Sequence, residues 1–163
     1  MAKHPHEIVV DMSSSLEIDK FIYQPRNSEN GRIKDYELYF SKDGKNWDNK
    51  TKGHFENSSS AQFVTLEKPI VARYFKLIAL SEIYGRDWAS AAELNVNAVR
   101  NLSGASEERQ KVVYVDSDAD GSMKLAADGD INTFWHTVHN QFYLAPYPHE
   151  IQIALAKETT VKG

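Results

Sequence analysis

The sequence carries one short strand-like stretch twice, as HPHEIVVD at His4–Asp11 and as YPHEIQIA at Tyr147–Ala154. Each copy continues as an alternating apolar run, and His6 aligns with His149 at an offset of 143 residues. Self-similarity at a fixed spacing is the signature of a repeat. We therefore expect a repeat that is cut out of phase, since the chain stops just before a second FIYQPR segment would begin.

This repeat divides the chain into three expected parts. Residues 1–98 are the C-terminal portion of one repeat, residues 99–112 are a linker that contains the polar stretch SGASEERQ, and residues 113–163 are the N-terminal portion of the next repeat. Residues 1–143 hold every strand once, in rotated order. Because chain termini in a sandwich lie close together, we expect the two portions to complete a single sandwich.

The composition favours one folded domain and excludes several functions. The chain has 163 residues, 41% of them hydrophobic and 26% charged, which is enough to build a core. Its net charge of −4 and its lack of a basic block argue against nucleic acid and against an anionic membrane surface. It contains no cysteine, so disulfides and thiolate chemistry are excluded.

Alternating apolar residues predict strands throughout. In the first stretch, Ile8 and Val10 alternate with more polar positions, and FIYQP at 21–25 is expected to begin a second strand that Pro25 ends. DYELYFS at 35–41 puts its apolar side chains on one face, and ARYFKLIAL at 72–80 is apolar on both faces, as in a central strand. Short strands separated by turn signals predict an all-β antiparallel sandwich or barrel.

The segment AADGDINTFWHT, Ala126–Thr137, brings oxygen donors close together. Asp128, Asp130 and the Thr133 hydroxyl are hard ligands of the kind that calcium takes, six to eight at a time. The spacing is not that of an EF-hand, and an ordinary Asp-Gly turn explains the same letters. Calcium and a simple turn both remain open from spacing alone.

Aromatic and polar residues also fall in predicted loops. Trp88 lies in SEIYGRDWAS between two apolar strands, while Arg26 follows Pro25. Trp135 is expected in the core, whereas Trp88 is equally consistent with a ligand platform. Aromatic rings together with a few well-aimed polar groups are typical of small-ligand sites. No nucleophile triad, phosphate loop or distinctive carboxylate pair stands out, so we expect no enzyme activity.

Several of these segments together resemble the coagulation-factor type C (discoidin) domain, in its bacterial galactose-binding-like branch of carbohydrate-binding modules. The segments are YVDSDADG, AADGDINTFWHT, YPHEI, FIYQPR, DYELYFSKDGKNW, ARYFKLIALSE and ASAAELNV. They cover nearly the whole chain, although the Asp-Gly segment comes last here. The resemblance implies an antiparallel jelly-roll β-sandwich with rotated strand order, appended to a secreted glycoside hydrolase of hexosaminidase, galactosidase or sialidase type.

The resemblance also implies two sites. A structural calcium ion would be held by Asp128, Asp130, Thr133 and Glu93, with the backbone carbonyls near Ala127 and Ala92. A terminal galactose or N-acetylhexosamine would be bound by Arg26, Asn30, Trp88 and His136, with Asp118 as a weaker addition. The implied setting is extracellular, on the cell surface or periplasmic. The alternatives are a discoidin-fold spacer or an adhesion module without sugar affinity. A phospholipid ligand is disfavoured because the lipid-binding members carry a cysteine pair that this chain lacks.

The duplicated strand creates a competition. The expected sandwich has one strand position for a PHEI segment, and the sequence carries two copies that fit it. The C-terminal copy is not followed by a FIYQPR segment. We expect the N-terminal copy to hold the position and the spare copy to favour a strand-swapped homodimer.

Overall fold

The computed structural model describes residues 3–102, 111–119, 121–128 and 130–136. These residues form eight strands and a 3-10 helix. The strands are β1 (His6–Gln24), β2 (Asp35–Ser41), β3 (Asp48–His54), β4 (Gln62–Ala79), β5 (Ser90–Ala91), β6 (Glu93–Asn101), β7 (Lys111–Val115) and β8 (Trp135–His136), and the 3-10 helix is Ser122–Ala127. Within this part of the chain, no helix has the length and apolar character needed to cross a bilayer.

The strands pair antiparallel in two sheets. The larger sheet has the order β3-β2-β4-β1-β6, with β7 also paired to β1, and the smaller sheet joins β5 to β8. The predicted all-β antiparallel sandwich is confirmed.

The larger sheet bends to form the two layers of the sandwich. Each of the long strands β1 and β4 contributes one half to one layer and the other half to the other layer. The first half of β1 pairs with the second half of β4 and with β7, while the second half of β1 pairs with the first half of β4 and with β6. A register shift between Asp11 and Leu16 separates the two halves. Strands that change layers commonly do so at such bulges.

Asp11 stabilises the bend. One carboxylate oxygen accepts the backbone N–H of Ser13 at 2.8 Å, and Ser13 has a positive φ of 61°. Arg73 of β4 pairs with both oxygens of the same carboxylate, each at 2.8 Å. A bidentate pair of this kind is both strong and directional, so the bend is fixed by side chains as well as by the backbone.

The core lies between the layers. Its aromatic members Phe21, Phe75 and Trp135 are almost completely buried, and Phe21 packs edge-on against Phe75 at 5.3 Å between centroids. The apolar residues of DYELYFS, namely Tyr36, Leu38 and Phe40, are buried in β2 as the alternation predicts.

Two details of the predicted strands were wrong. FIYQP does not begin a second strand, because β1 continues through the bulge to Gln24. The residues facing away from Ile8 and Val10 are also less exposed than alternation suggests, since Val9 and Asp11 are buried. Strand β1 is a central strand at these positions, with β4 on one side and β7 on the other.

The C-terminal segment adds to structure formed by the N-terminal one. Strand β7 pairs with the PHEI segment of β1, with Ile8 opposite Val115, and β8 pairs with β5. Strands β6 and β7 extend into both ends of the predicted linker at 99–112. The first PHEI copy therefore lies in a central strand, whereas the second copy, at 147–154, falls outside the described residues.

We predict that a chain ending at residue 102 does not fold cooperatively. It loses the buried side chains of Val112, Val115 and Trp135, and the first half of β1 keeps β4 on one side but loses β7 on the other. Removing a buried Trp side chain alone costs about 3–5 kcal/mol, against a typical total stability of about 5–15 kcal/mol. Thermal unfolding followed by circular dichroism is the measurement.

A chain ending at residue 146 is the control for this truncation. It retains every described residue and is expected to melt cooperatively as a monomer. A cooperative transition in the shorter chain would show that residues 111–136 are not needed for the sandwich.

Candidate sugar-binding site

The candidate site lies at one end of the sandwich, where three loop segments meet. They are residues 25–34 after β1, residues 80–89 before β5, and residues 130–134 before β8. The backbone of Arg32 accepts the N–H of Ile83 at 3.0 Å, and Gly31 accepts the N–H of Ser90 at 2.7 Å. The first two loops are therefore hydrogen-bonded to one another.

A cavity of about 220 Å³ opens between these loops. Its lining is Arg26, Asn30, Trp88, Phe134 and His136. The structure thus brings together four of the five residues named as sugar ligands from the sequence. The volume of the cavity is below the range of about 300–1,000 Å³ typical of pockets for drug-sized ligands. The cavity therefore fits a single small ring.

Phe134 is the lining residue that sequence reasoning did not name. The Arg26 guanidinium carbon lies 3.7 Å from the centroid of the Phe134 ring, which is cation–π geometry. The His136 ring lies 5.7 Å from the same ring. Partial burial lowers the pKa of Arg26. Phe134 therefore positions two of the polar groups that line the cavity.

A buried carboxylate organises both loops beside the cavity. The Glu82 side chain accepts the backbone N–H groups of Gly31 at 3.3 Å, Tyr84 at 2.7 Å and Arg86 at 3.1 Å. Its side chain is fully buried and lies 3.6 Å from the Arg86 guanidinium. Hydrogen bonds to a charged acceptor are stronger than neutral ones. Glu82 thus joins the loop that carries Asn30 to the loop that carries Trp88.

The floor under the Asn30 loop is close-packed. Gly31 has a φ of +78°, and a Cβ atom there would lie 2.8 Å from the Ser90 hydroxyl oxygen. That hydroxyl donates to the Asn30 carbonyl at 2.8 Å. The buried Tyr23 hydroxyl accepts from the Ile33 N–H and donates to the Ser90 carbonyl, both at 3.1 Å. Burial raises the pKa of Tyr23 well above its ordinary value, so this hydroxyl stays neutral.

The two histidines of HPHE hold the Trp88 loop from the other side. The Nε2 atom of His6 lies 2.7 Å from the Asp87 carbonyl oxygen, and its Nδ1 atom lies 3.2 Å from the Asp116 carboxylate. The two ring nitrogens of His4 lie 3.1 Å from the Ala79 carbonyl oxygen and 3.0 Å from that of Arg86. Burial lowers the pKa of His4, as does the neighbouring His6 ring, while the two carbonyls oppose the change.

The residues predicted to hold calcium are partly assembled. The Asp128 carboxylate accepts the Thr133 hydroxyl at 2.9 Å and 3.0 Å, and it lies within hydrogen-bonding reach of the Glu93 side chain. Burial opposes ionisation of Asp128, but the N–H of Asp130, the Thr133 hydroxyl and Glu93 together lower its pKa. Ala92 and Ala127 are buried beside this group of residues.

Asp130 is placed differently. Its carboxylate accepts the backbone and side-chain N–H groups of Asn132 at 2.9 Å, while its carbonyl oxygen accepts from Thr133. Among the described residues, no three His, Asp or Glu side chains come together as a metal-binding group. The side chains that do meet, those of Asp128, Glu93 and Thr133, offer only oxygen donors. Two carboxylates as close as those of Asp128 and Glu93 repel each other unless a proton or a cation lies between them. The donor set is therefore chemically suited to calcium.

Asp118 and Trp135 occupy other places. The Asp118 carboxylate accepts the Ser122 hydroxyl at 2.8 Å at the start of the 3-10 helix, and Asp118 does not line the cavity. The same Ser122 hydroxyl accepts the backbone N–H of His136 at 3.4 Å, so Asp118 lies behind His136 and outside the lining of the cavity. Trp135 is buried, as expected, and its indole N–H donates to the Ser117 carbonyl at 3.1 Å.

An antiparallel sandwich with a small loop pocket lined by aromatic and polar residues defines a ligand-binding module. Residues 1–94 match the F5/8 type C domain family, and the chain belongs to that family. It is a non-catalytic module of that family.

Three similar proteins illustrate the relationship. A sialidase from Micromonospora viridifaciens is 37% identical over 99 residues, which are 60% of this chain and 15% of the sialidase. A galactose oxidase from Gibberella zeae is 35% identical over 98 residues, 58% of this chain and 14% of the oxidase. The chain thus matches only a small part of either relative. Among solved structures, CpGH89CBM32-5 from Clostridium perfringens, in complex with GalNAc-beta-1,3-galactose, is 39% identical with a TM-score of 0.55, over 60% of this chain and 69% of that one.

We predict that His6→Ala destabilises the protein by about 3–5 kcal/mol, the cost of breaking a buried pair by removing one partner. The substitution leaves the buried Asp116 carboxylate without its imidazole and frees the Asp87 carbonyl. Chemical denaturation measures the change in the free energy of unfolding.

His54→Ala is the matched control. The His54 side chain is 68% exposed and contacts Glu56 at 3.6 Å, and surface substitutions usually change stability by no more than about 0.5 kcal/mol. Equal effects of the two substitutions would contradict an anchoring role for His6.

Proposed function

We propose that the chain is a carbohydrate-binding module that takes a terminal galactose or N-acetylhexosamine into the cavity between its loops. The observation that carries this proposal is the convergence of Arg26, Asn30, Trp88 and His136 on one small cavity from loops distant in sequence. The ligand in the complex of CpGH89CBM32-5, GalNAc-beta-1,3-galactose, supports the same class of ligand.

The lining suits a pyranose ring. A sugar presents an apolar C–H face, which packs on an aromatic ring, and hydroxyls, which exchange hydrogen bonds with amide, imidazole and guanidinium groups. One face of Phe134 is covered by Arg26 at 3.7 Å, so Trp88 is the ring assigned to stacking. Arg26 donates, Asn30 donates and accepts, and His136 does either according to its tautomer.

The affinity is expected to be weak. A small open cavity makes few contacts, and affinities between ~1 mM and ~10 μM correspond to about −4 to −7 kcal/mol. Weak binding of this kind suits targeting, in which a module holds an appended glycoside hydrolase near a glycan surface. The matched segment is 15% of the length of the M. viridifaciens sialidase, which supports a role as one module of a larger enzyme. We propose that this enzyme is exported and acts outside the cell.

A glycan array followed by isothermal titration calorimetry tests the binding. Trp88→Ala is expected to abolish detectable binding without lowering the melting temperature by more than a few degrees, because the ring is only half-buried. Trp47→Ala is the matched control, since the Trp47 ring lies against Lys76 after β2, away from the cavity. Retained binding in Trp88→Ala would overturn the assignment of the cavity as the site. No binding of galactose-type or N-acetylhexosamine glycans by the unmodified chain would overturn the proposed function and favour a spacer.

We further propose that one calcium ion is held by Asp128, Glu93, Thr133 and Asp130, with the carbonyls near Ala92 and Ala127. Oxygen donors are what calcium prefers, and the close approach of Asp128 and Glu93 supports a cation there. When bound, the ion would supply a charge that ties the start of β6 to the turn before β8.

The calcium proposal predicts a stability change. Because an ion that binds only the folded chain stabilises it by mass action, 1 mM calcium should raise the melting temperature relative to chelator. The free energy of unfolding should increase by about 2.7 kcal/mol when calcium is at 100 times its Kd. Asp128→Asn should abolish this difference, whereas Asp48→Asn, in exposed β3, should leave it intact. A melting temperature that ignores both calcium and chelator would contradict the site.

A further inference from the structure

The loop that carries Trp88 continues into a polar aromatic surface outside the cavity. We name this surface the Tyr84 ridge and define it as Glu29, Asn57, Tyr84 and Arg86. The Tyr84 ring is 48% exposed. Its hydroxyl accepts the Asn57 side-chain N–H at 2.9 Å and donates to the Glu29 carboxylate at 2.8 Å. The ridge thus combines an exposed aromatic ring with polar side chains, as the lining of the cavity does.

The ridge is continuous with the cavity. The Arg86 guanidinium carbon lies 5.0 Å from the Tyr84 ring centroid and 5.7 Å from that of Trp88. One of its nitrogens donates to the Asn30 side-chain oxygen at 2.6 Å. Arg86 therefore stands between a ring of the ridge and a ring of the cavity, and its side chain contacts both aromatic surfaces.

Buried groups hold the ridge in place. Arg32, which is 6% exposed, donates to the Asn57 side-chain oxygen at 2.7 Å and to the Asn27 carbonyl at 3.2 Å. Asn57 in turn positions the Tyr84 hydroxyl, and the Glu82 carboxylate accepts the Tyr84 backbone N–H at 2.7 Å. A surface that is ordered before binding loses less conformational entropy when a ligand arrives.

We propose that the Tyr84 ridge is a second subsite, which takes the neutral sugar residue next to the terminal one. This inference rests on the proposed function of the cavity and names its ligand class as a disaccharide or longer glycan. The Tyr84 ring supplies the stacking face. At its edge the Asn57 amide can donate a hydrogen bond and the Glu29 carboxylate can accept one. The Glu29 carboxylate, with Arg86 already beside Glu82 at 3.6 Å, disfavours an anionic residue at this position.

The experiment compares one sugar with two. Isothermal titration calorimetry of the full chain uses N-acetylgalactosamine, galactose and the disaccharide GalNAc-β-1,3-galactose as probes. The disaccharide is expected to bind about fivefold more tightly than either monosaccharide, the range that one additional aromatic contact provides.

Variants then separate the ridge from the cavity. Tyr84→Ala should remove the fivefold advantage of the disaccharide and leave monosaccharide affinity unchanged, whereas Tyr84→Phe, which keeps the ring, should retain the advantage. Phe63→Ala is the control for removing an exposed ring, since Phe63 is 60% exposed and lies against Lys20. It should alter neither affinity.

Equal affinities for one and two sugars, or an advantage that survives in Tyr84→Ala, would overturn the ridge while leaving the cavity in place. Failure of all three probes to bind the unmodified chain would instead overturn the proposed function, and the ridge with it. Loss of the advantage in both Tyr84→Ala and Tyr84→Phe would also reject the ring as the platform.

Discussion

The arrangement of the candidate site depends on one buried carboxylate. Glu82 accepts backbone N–H groups from Gly31 on one loop and from Tyr84 and Arg86 on another. A buried carboxyl group is tolerated only where hydrogen bonds replace its hydration, so a change in the loop geometry would leave the Glu82 side chain without its partners. The same constraint places Asn30 beside Arg86 and carries Trp88 to the edge of the cavity.

The sandwich supplies the fixed frame for these loops. Asp11 and Arg73 stabilise the bend through which β1 and β4 each contribute to both layers. Two loops of the site follow directly from the ends of these two strands, at residues 25–34 and 80–89. The N-terminal histidines extend this frame, because His4 and His6 contact the carbonyls of Arg86 and Asp87. The loop that bears Trp88 is thus held from below by a carboxylate and from the side by two imidazoles, which leaves its outward face for a ligand.

Sequence reasoning predicted the class of fold because alternation is a local signal that packing in this chain obeys, as at Tyr36, Leu38 and Phe40. It also named four of the residues that line the cavity. It missed Phe134, whose role comes from stacking with Arg26, more than one hundred residues away in sequence. It missed Glu82 because a single Glu after a strand carries no periodic signal, and it included Asp118, which instead bonds to Ser122. Contacts made across long sequence separations are the part that local patterns do not specify.

Amide hydrogen exchange at Gly31, Tyr84 and Arg86 tests the central claim most directly. These N–H groups lie in loops, where exchange is ordinarily fast, yet each is bonded to the Glu82 carboxylate. The account predicts that all three are protected, and that Glu82→Gln, which keeps only one acceptor oxygen, reduces their protection while leaving the amide of Leu38 in β2 unchanged. Exchange of the three amides at the rate of an open loop in the unmodified protein would contradict it.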